Sequence, residues 1–152
     1  MKRYPRPRQF RPNHPEKYLG DVSKIIARSS WEVKFMHWCD INSSILKWNS
    51  EGVVIPYWSS AEGKMRRYFV DFLIQAVSTD NEVKSFLVEV KPRAQTKPPR
   101  NRKNQTALLE AARTYQINQD KWKAASAWAK AQGIEFRVLD EYDLGIKNAN
   151  NK

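Results

Sequence analysis

Three ionisable residues stand where apolar, β-type sequence normally excludes them. Asp71 interrupts Tyr68-Phe69-Val70-Asp71-Phe72-Leu73-Ile74, and Glu89 and Lys91 interrupt Phe86-Leu87-Val88-Glu89-Val90-Lys91-Pro92. Charged side chains seldom enter such segments unless paired or bound to a metal ion. Two carboxylates brought face to face need a shared proton or a divalent cation to offset their repulsion. Mg²⁺ suits that role, because it takes oxygen ligands and is commonly held by one or two carboxylates plus substrate phosphate oxygens. A lysine alongside can orient an attacking water or balance charge on a scissile phosphate. In a chain of net charge +11, the combination points to metal-dependent cleavage of a nucleic acid.

The numbering supplies a geometry for these groups. Thr79-Asp80-Asn81 is a turn cluster between the two apolar runs, which therefore read as a hairpin. A turn centred on Asp80 pairs residues whose numbers sum to 160, setting Asp71 opposite Glu89. Facing residues of an antiparallel pair have Cβ atoms about 5 Å apart. Side chains alternate with period two, so Asp71, Glu89 and Lys91 share one face, flanked by Phe69, Leu73 and Leu87. Val70, Phe72, Ile74, Val88 and Val90 take the other face. A one-residue slip of the turn would separate the acids across the sheet. The competing reading leaves Asp71 and Glu89 on the wet side of a half-exposed hairpin, with Lys91 as a cross-strand partner.

Elements on either side must position this hairpin. Residues 1–20 form a basic arm, expected to be extended and flexible because proline fixes φ and like charges repel. The domain proper is expected over 21–146, followed by a polar tail at 147–152. Ser29-Ser30-Trp31-Glu32 opens a helix to about Asp40, with Trp31, Phe35 and Trp38 along one stripe. Ile45–Trp48 and Val53–Tyr57 read as short strands, the second at an edge because of Pro56. One long strand is expected from Met65 to about Val77. Lys91–Lys103 reads as a basic, proline-rich loop. Two helices, about Gln105–Tyr115 and Gln119–Ala131, and a strand over Ile134–Leu139 complete a mixed α/β fold, a sheet with helices on its faces.

Glu32 has two readings. Ser29-x-x-Glu32 fits the capping box, where the glutamate satisfies a backbone amide. A helix lying over the hairpin could equally deliver this acid as a third metal ligand. The basic stretches are similarly double. Arg3, Arg6, Arg8, Arg11 and Lys17, then Arg93, Lys97, Arg100, Arg102 and Lys103, could be solvated charge or phosphate contacts. The second cluster begins at Lys91, where a phosphodiester would lie, and this favours the phosphate reading.

Other chemistries find little support. His37 and Cys39, two apart on a helix, do not share a face, and His14 is the only other histidine. A zinc centre is therefore not expected. Cys39 is the sole cysteine and reads as a small packed residue; it excludes an intramolecular disulfide and suits a reducing compartment. Trp122 and Trp128 read as core rather than as a stacking platform. No glycine-rich phosphate loop, apolar span of membrane length or secretory leader is evident, so an intracellular protein without a membrane partner is expected.

Glu32, Asp71 and Glu89-Val90-Lys91 together resemble the catalytic set of the PD-(D/E)xK, restriction-endonuclease-like superfamily. The segments Ala27–Glu32 and Arg67–Phe72 resemble more narrowly the head completion nucleases of T-even-type tailed phages, and the layout is similar to TnsA-like transposition endonucleases. This likeness runs from about Tyr18 to about Gly145. It implies a central mixed sheet flanked by helices and Mg²⁺-dependent phosphodiester hydrolysis, with Mn²⁺ as a substitute. By the same resemblance Glu32, Asp71 and Glu89 would be metal ligands and Lys91 the water-orienting residue. Val70 stands where the superfamily signature has proline. Gln119 and Lys121 fall where related nucleases sometimes place an auxiliary polar residue, and Arg28 and Lys121 join the candidate DNA contacts. Such phage proteins act on double-stranded or branched DNA, trim it at the filled head and prepare the portal for neck and tail proteins. A virion protein assembled in the host cytoplasm is implied. Two alternatives are a portal protein that keeps the nuclease fold without catalysis, and a non-catalytic nucleic-acid-binding module.

Overall fold

The computed structural model describes residues 1–146, so the polar tail lies outside the described residues. In chain order the elements are β1 (Arg3–Gln9), β2 (Ile26–Ser29), α1 (Ser30–Ile41), β3 (Ile45–Ser50), β4 (Val54–Ser59) and β5 (Lys64–Phe69). These are followed by β6 (Phe72–Val77), β7 (Val83–Val90), α2 (Gln105–Ala131) and β8 (Glu135–Leu139). The central sheet has the order β3-β6-β7-β8. Its first three strands run antiparallel and β8 lies parallel to β7, joined to it through the long crossover α2. β1-β2 and β4-β5 form separate two-stranded ribbons. The expected mixed sheet with helices on both faces is what the chain builds.

The hairpin register follows the turn. Val77 pairs with Val83 and Phe72 with Val88, so paired numbers sum to 160. Ser78 and Glu82 exchange backbone and hydroxyl hydrogen bonds across the turn, and Asn81 takes a φ of 62°, which asparagine tolerates. Phe72, Ile74, Val88 and Val90 pack with Trp31, Phe35 and Met36 of α1 on one face. Leu73 and Leu87 meet Ala125 and Ala129 of α2 on the other. Two cores, one on each face, therefore cover the strands that carry the acids.

The structure revises several local expectations. The long strand from Met65 to Val77 is two: β5 pairs with β4, β6 joins the main sheet, and Val70-Asp71 bridges them. The break is fixed by backbone bonds, with the Val70 N–H donating to the Val53 carbonyl at 3.0 Å and the Glu51 N–H to the Asp71 carbonyl at 3.0 Å. Alternation slips by one residue there. Val70 consequently packs with Leu87 on the α2 face instead of beside Phe72. Phe69, expected to flank the carboxylates, is 48% exposed.

The two expected later helices are one continuous helix of 27 residues. Ile117 and Asn118 cost only a few tenths of a kcal/mol in a helix interior, too little to break it. On α1, Trp31 and Phe35 are buried but Trp38 is 43% exposed, with Met36 and Cys39 filling the core position instead.

The basic arm is extended but not loose. β1 pairs antiparallel with β2, and the chain beyond it docks on the end of α1. Asp40, almost fully buried, accepts from the Asn13 and His14 N–H groups at 2.8 Å each. Lys17 donates to the carbonyls of Cys39, Asp40 and Asn42 at 2.6–3.0 Å, closing the helix C-terminus where a cation is favoured. Lys17 thus belongs to the fold, not to a phosphate-binding surface.

Candidate active site

Asp71 sits in the break between β5 and β6, and Glu89 is the penultimate residue of β7. Continuing the hairpin register by one pair places them opposite each other. One Asp71 oxygen accepts from the Val90 N–H at 2.9 Å, which fixes its carboxylate against the end of β7. Glu89 is 6% exposed and accepts a 2.5 Å hydrogen bond from the Tyr68 hydroxyl. Lys91 Nζ lies 3.8 Å from the other Glu89 oxygen. The break at Val70-Asp71 takes Asp71 out of the strand ladder, and its side chain instead receives the Val90 N–H.

The electrostatics are those of a strained pair. Burial holds the Asp71 carboxyl well above the usual carboxylate range, and the Glu89 charge pushes it further. The Val90 N–H and Lys91 offset part of this, while the charge of Glu32 adds to it. Burial also raises Glu89, opposed by the Tyr68 hydroxyl, Lys91, Lys121 and the Asp71 carboxyl. A shared proton or a divalent cation would relieve the repulsion between the two acids. Tyr68 is raised for the same reasons, burial first and Glu89 second. Asp71 still keeps an accessible edge, so the pair opens to the surface.

Glu32 occupies the start of α1, 8% exposed. Ser29 caps the helix by accepting from the Glu32 N–H at 3.3 Å and donates its own hydroxyl to Glu32 Oε2 at 2.9 Å. The reciprocal half of a capping box, a glutamate bond to the Ser29 N–H, is absent among the described residues. Glu32 is therefore buried near Asp71 with one oxygen uncommitted. Among the described residues no three acidic, histidine or cysteine side chains already converge as a metal cluster. The centre as it stands is two carboxylates, with Glu32 beside them. An all-oxygen donor set of this kind, with mutual repulsion to relieve, fits a hard divalent cation.

Two contributors were only faintly legible. Tyr68 opened the quoted strand motif, yet its position beside Glu89 follows from the phase slip at Val70. Lys121 lies on the α2 face turned to the sheet, with Nζ 5.5 Å from the Tyr68 ring. Burial lowers its pKa, against the raising influence of Glu89. Its charge acts on Glu89, which places it beside the acids and away from the exposed cations of the 97–103 loop. Gln119 makes no hydrogen bond through its side chain among the described residues.

The remaining cations divide by what they touch. Arg3, Arg6, Arg8 and Arg11 are exposed, and Arg8 stacks over Tyr4 at 4.0 Å. Arg3 pairs with Ser29, bringing the arm alongside the start of α1. Arg28 is held by Glu51 at 2.8 Å. Arg93 is paired with Asp140 at 2.6 Å and stacked on Tyr142, tying the loop after β7 to the turn after β8. Lys97, Arg100, Arg102 and Lys103 stand exposed on that loop.

A family described as the TnsA-like endonuclease N-terminal domain matches residues 42–141, which hold Asp71, Glu89, Lys91 and Lys121. The chain belongs to this endonuclease family, whose match begins after Glu32. It is also 41% identical over 146 residues to the head completion nuclease of Enterobacteria phage T4, an alignment spanning 91% of this chain and 95% of that one.

Proposed function

We propose that the protein is a Mg²⁺-dependent DNA endonuclease of a tailed phage, acting on packaged DNA during head completion before neck and tail attachment. The observation that carries the chemistry is the facing pair of a buried Glu89 and a partly accessible Asp71, mutually repelling and flanked by Lys91. The phage role rests on the name of the T4 relative, which is similar over nearly its whole length. A cation held by Asp71 and Glu89, with Glu32 as an added carboxylate and Mn²⁺ as a substitute for Mg²⁺, would supply an activated water and stabilise charge on the phosphoryl oxygens.

The chain's own groups do the rest. Lys91 orients the attacking water and balances charge at the phosphate. Tyr68 holds Glu89 by its hydroxyl, which favours the ionised carboxylate against the effect of burial. Lys121 supports the same charge from α2. Arg3, Arg6, Arg8 and Arg11 of the arm, and Lys97, Arg100, Arg102 and Lys103 of the loop, would hold the DNA backbone without reading sequence. Double-stranded or branched DNA is the substrate class, and portal or neck proteins are the expected neighbours in the virion.

The test is incubation of supercoiled, linear and flapped DNA with and without Mg²⁺, using wild type, Asp71→Ala and Lys91→Ala. Metal-dependent cleavage by wild type alone is expected. Cleavage that persists in EDTA, or in either variant, overturns the assignment.

A further inference from the structure

We propose that the groove between the 93–102 loop and the middle of α2 binds a single-stranded nucleic-acid segment leading into the catalytic centre. The inference deepens the nuclease reading and rests on it for the identity of the centre, but binding is measurable without cleavage. The groove has a volume of about 800 Å³ and is walled on one side by Lys97, Arg100 and Arg102. None of these makes a salt bridge among the described residues, whereas Arg93 at the groove's end is neutralised by Asp140. The opposite wall is a stripe of α2 carrying Tyr115 and Asn118.

Asn118 is the informative residue. It is 4% exposed, yet its amide Nδ2 has no hydrogen-bond partner among the described residues. Asn118 lines the groove, and its buried donor is costly unless a turn of the amide towards the groove brings it to an acceptor from outside. Phosphate oxygens and base carbonyls are such acceptors, and three free cations across the groove select an anionic chain. Tyr115, one turn before Asn118 and partly exposed, offers a ring face to a base. Stacking on Tyr115 calls for an unpaired strand, because in a duplex the base faces are already covered by their neighbours.

The path continues to the acids. Lys121 follows Asn118 by three residues on the same helix, a rise of about 4.5 Å. A strand lying on this stripe therefore passes from the groove to the groups around Glu89. The substrate class that matches is DNA with a protruding single strand, in which the tail occupies the groove and the junction reaches Asp71 and Glu89.

Fluorescence anisotropy in EDTA, with the full chain, tests this directly. The probes are a labelled oligothymidylate and a blunt duplex of equal length. Asn118→Leu relieves an unsatisfied amide, so the fold should survive, and far-UV circular dichroism verifies it. We expect Asn118→Leu and Tyr115→Leu each to weaken oligothymidylate binding about tenfold, with a smaller change for the duplex. Asp71→Asn should retain single-strand binding while losing cleavage, which separates a failed groove from a failed nuclease. Unchanged oligothymidylate affinity in both groove variants, or equal losses for duplex and single strand, would overturn the proposal.

Discussion

Asp71→Asn removes one of two facing charges and leaves an oxygen to accept from the Val90 N–H. Two unit charges about 5 Å apart at an effective dielectric near 20 repel by about 3 kcal/mol. Lys91 and Lys121 reduce the strain actually present. The variant should therefore be more stable than wild type by about 1–3 kcal/mol in the absence of metal. In a domain of this size that corresponds to a rise of about 3–8 °C in Tm. The assay is thermal unfolding in EDTA near neutral pH, followed by calorimetry or far-UV circular dichroism. Cleavage should disappear in the same variant, so stability and activity move in opposite directions.

Two further readouts tighten the prediction. The unfolded chain releases the Asp71 proton in the ordinary carboxylate range, whereas the folded protein holds it to higher pH. The unfolded state therefore binds fewer protons between those two values, and stability falls as pH rises through that window. The advantage of Asp71→Asn should be largest at the upper end and vanish below the ordinary carboxylate range. Mg²⁺ should raise the Tm of wild type by mass action and leave the variant nearly unmoved. An Asp71→Asn protein that melts below wild type in EDTA, or responds equally to Mg²⁺, would refute a strained carboxylate pair.

Lys91→Ala should lower the single-turnover cleavage rate by about 10²–10⁴-fold while DNA affinity in EDTA changes little; a purified variant that cleaves normally would remove Lys91 from the mechanism. Tyr68→Phe deletes the hydroxyl that helps keep Glu89 ionised, so the acidic limb of the pH–rate profile should move to higher pH. The same change should cost about 1–3 kcal/mol of stability, read by urea unfolding. Asp40→Leu leaves the Asn13 and His14 N–H groups without their acceptor, and a loss of about 2–4 kcal/mol is expected. Limited proteolysis should then cut within residues 1–20, and an arm that stays protected would show that other contacts hold it.

The pairing of the acids was legible because a single local feature set it. A short polar turn at Ser78–Glu82 fixes the β6-β7 register, and register alone decides whether Asp71 and Glu89 meet. The break at Val70-Asp71 was not legible. It depends on the Val53 carbonyl and the Glu51 N–H, which approach from another ribbon and leave no trace in the local pattern. The same holds for the arm: its prolines and charges predict extension, but the docking on Asp40 is a long-range contact. On α2, a weak local preference at Ile117-Asn118 yields to burial along the rest of the helix, so an apparent interruption is continuous. Tyr68 and Lys121 reach the acids only through these long-range arrangements.

The phase slip between β5 and β6 explains why so few groups suffice here. In an unbroken strand, residue 68 and residue 71 would project from opposite faces. The slip at Val70 turns Tyr68 inward to the α2 side, where its hydroxyl reaches Glu89, and leaves Asp71 bent towards the end of β7. Deleting Val70 would leave Tyr68 and Asp71 two residues apart and on one face, but would remove the N–H that ties the break to the Val53 carbonyl. Holding the break needs only a small apolar residue that packs beside Leu87 and keeps its N–H on the Val53 carbonyl. Val70→Ala should therefore lose about 1–2 kcal/mol of stability yet cleave DNA. Val70→Pro removes the N–H itself and should cost more stability than Val70→Ala; equal stability of the two variants in urea unfolding would mean that the backbone bond to Val53 does not hold the break in place.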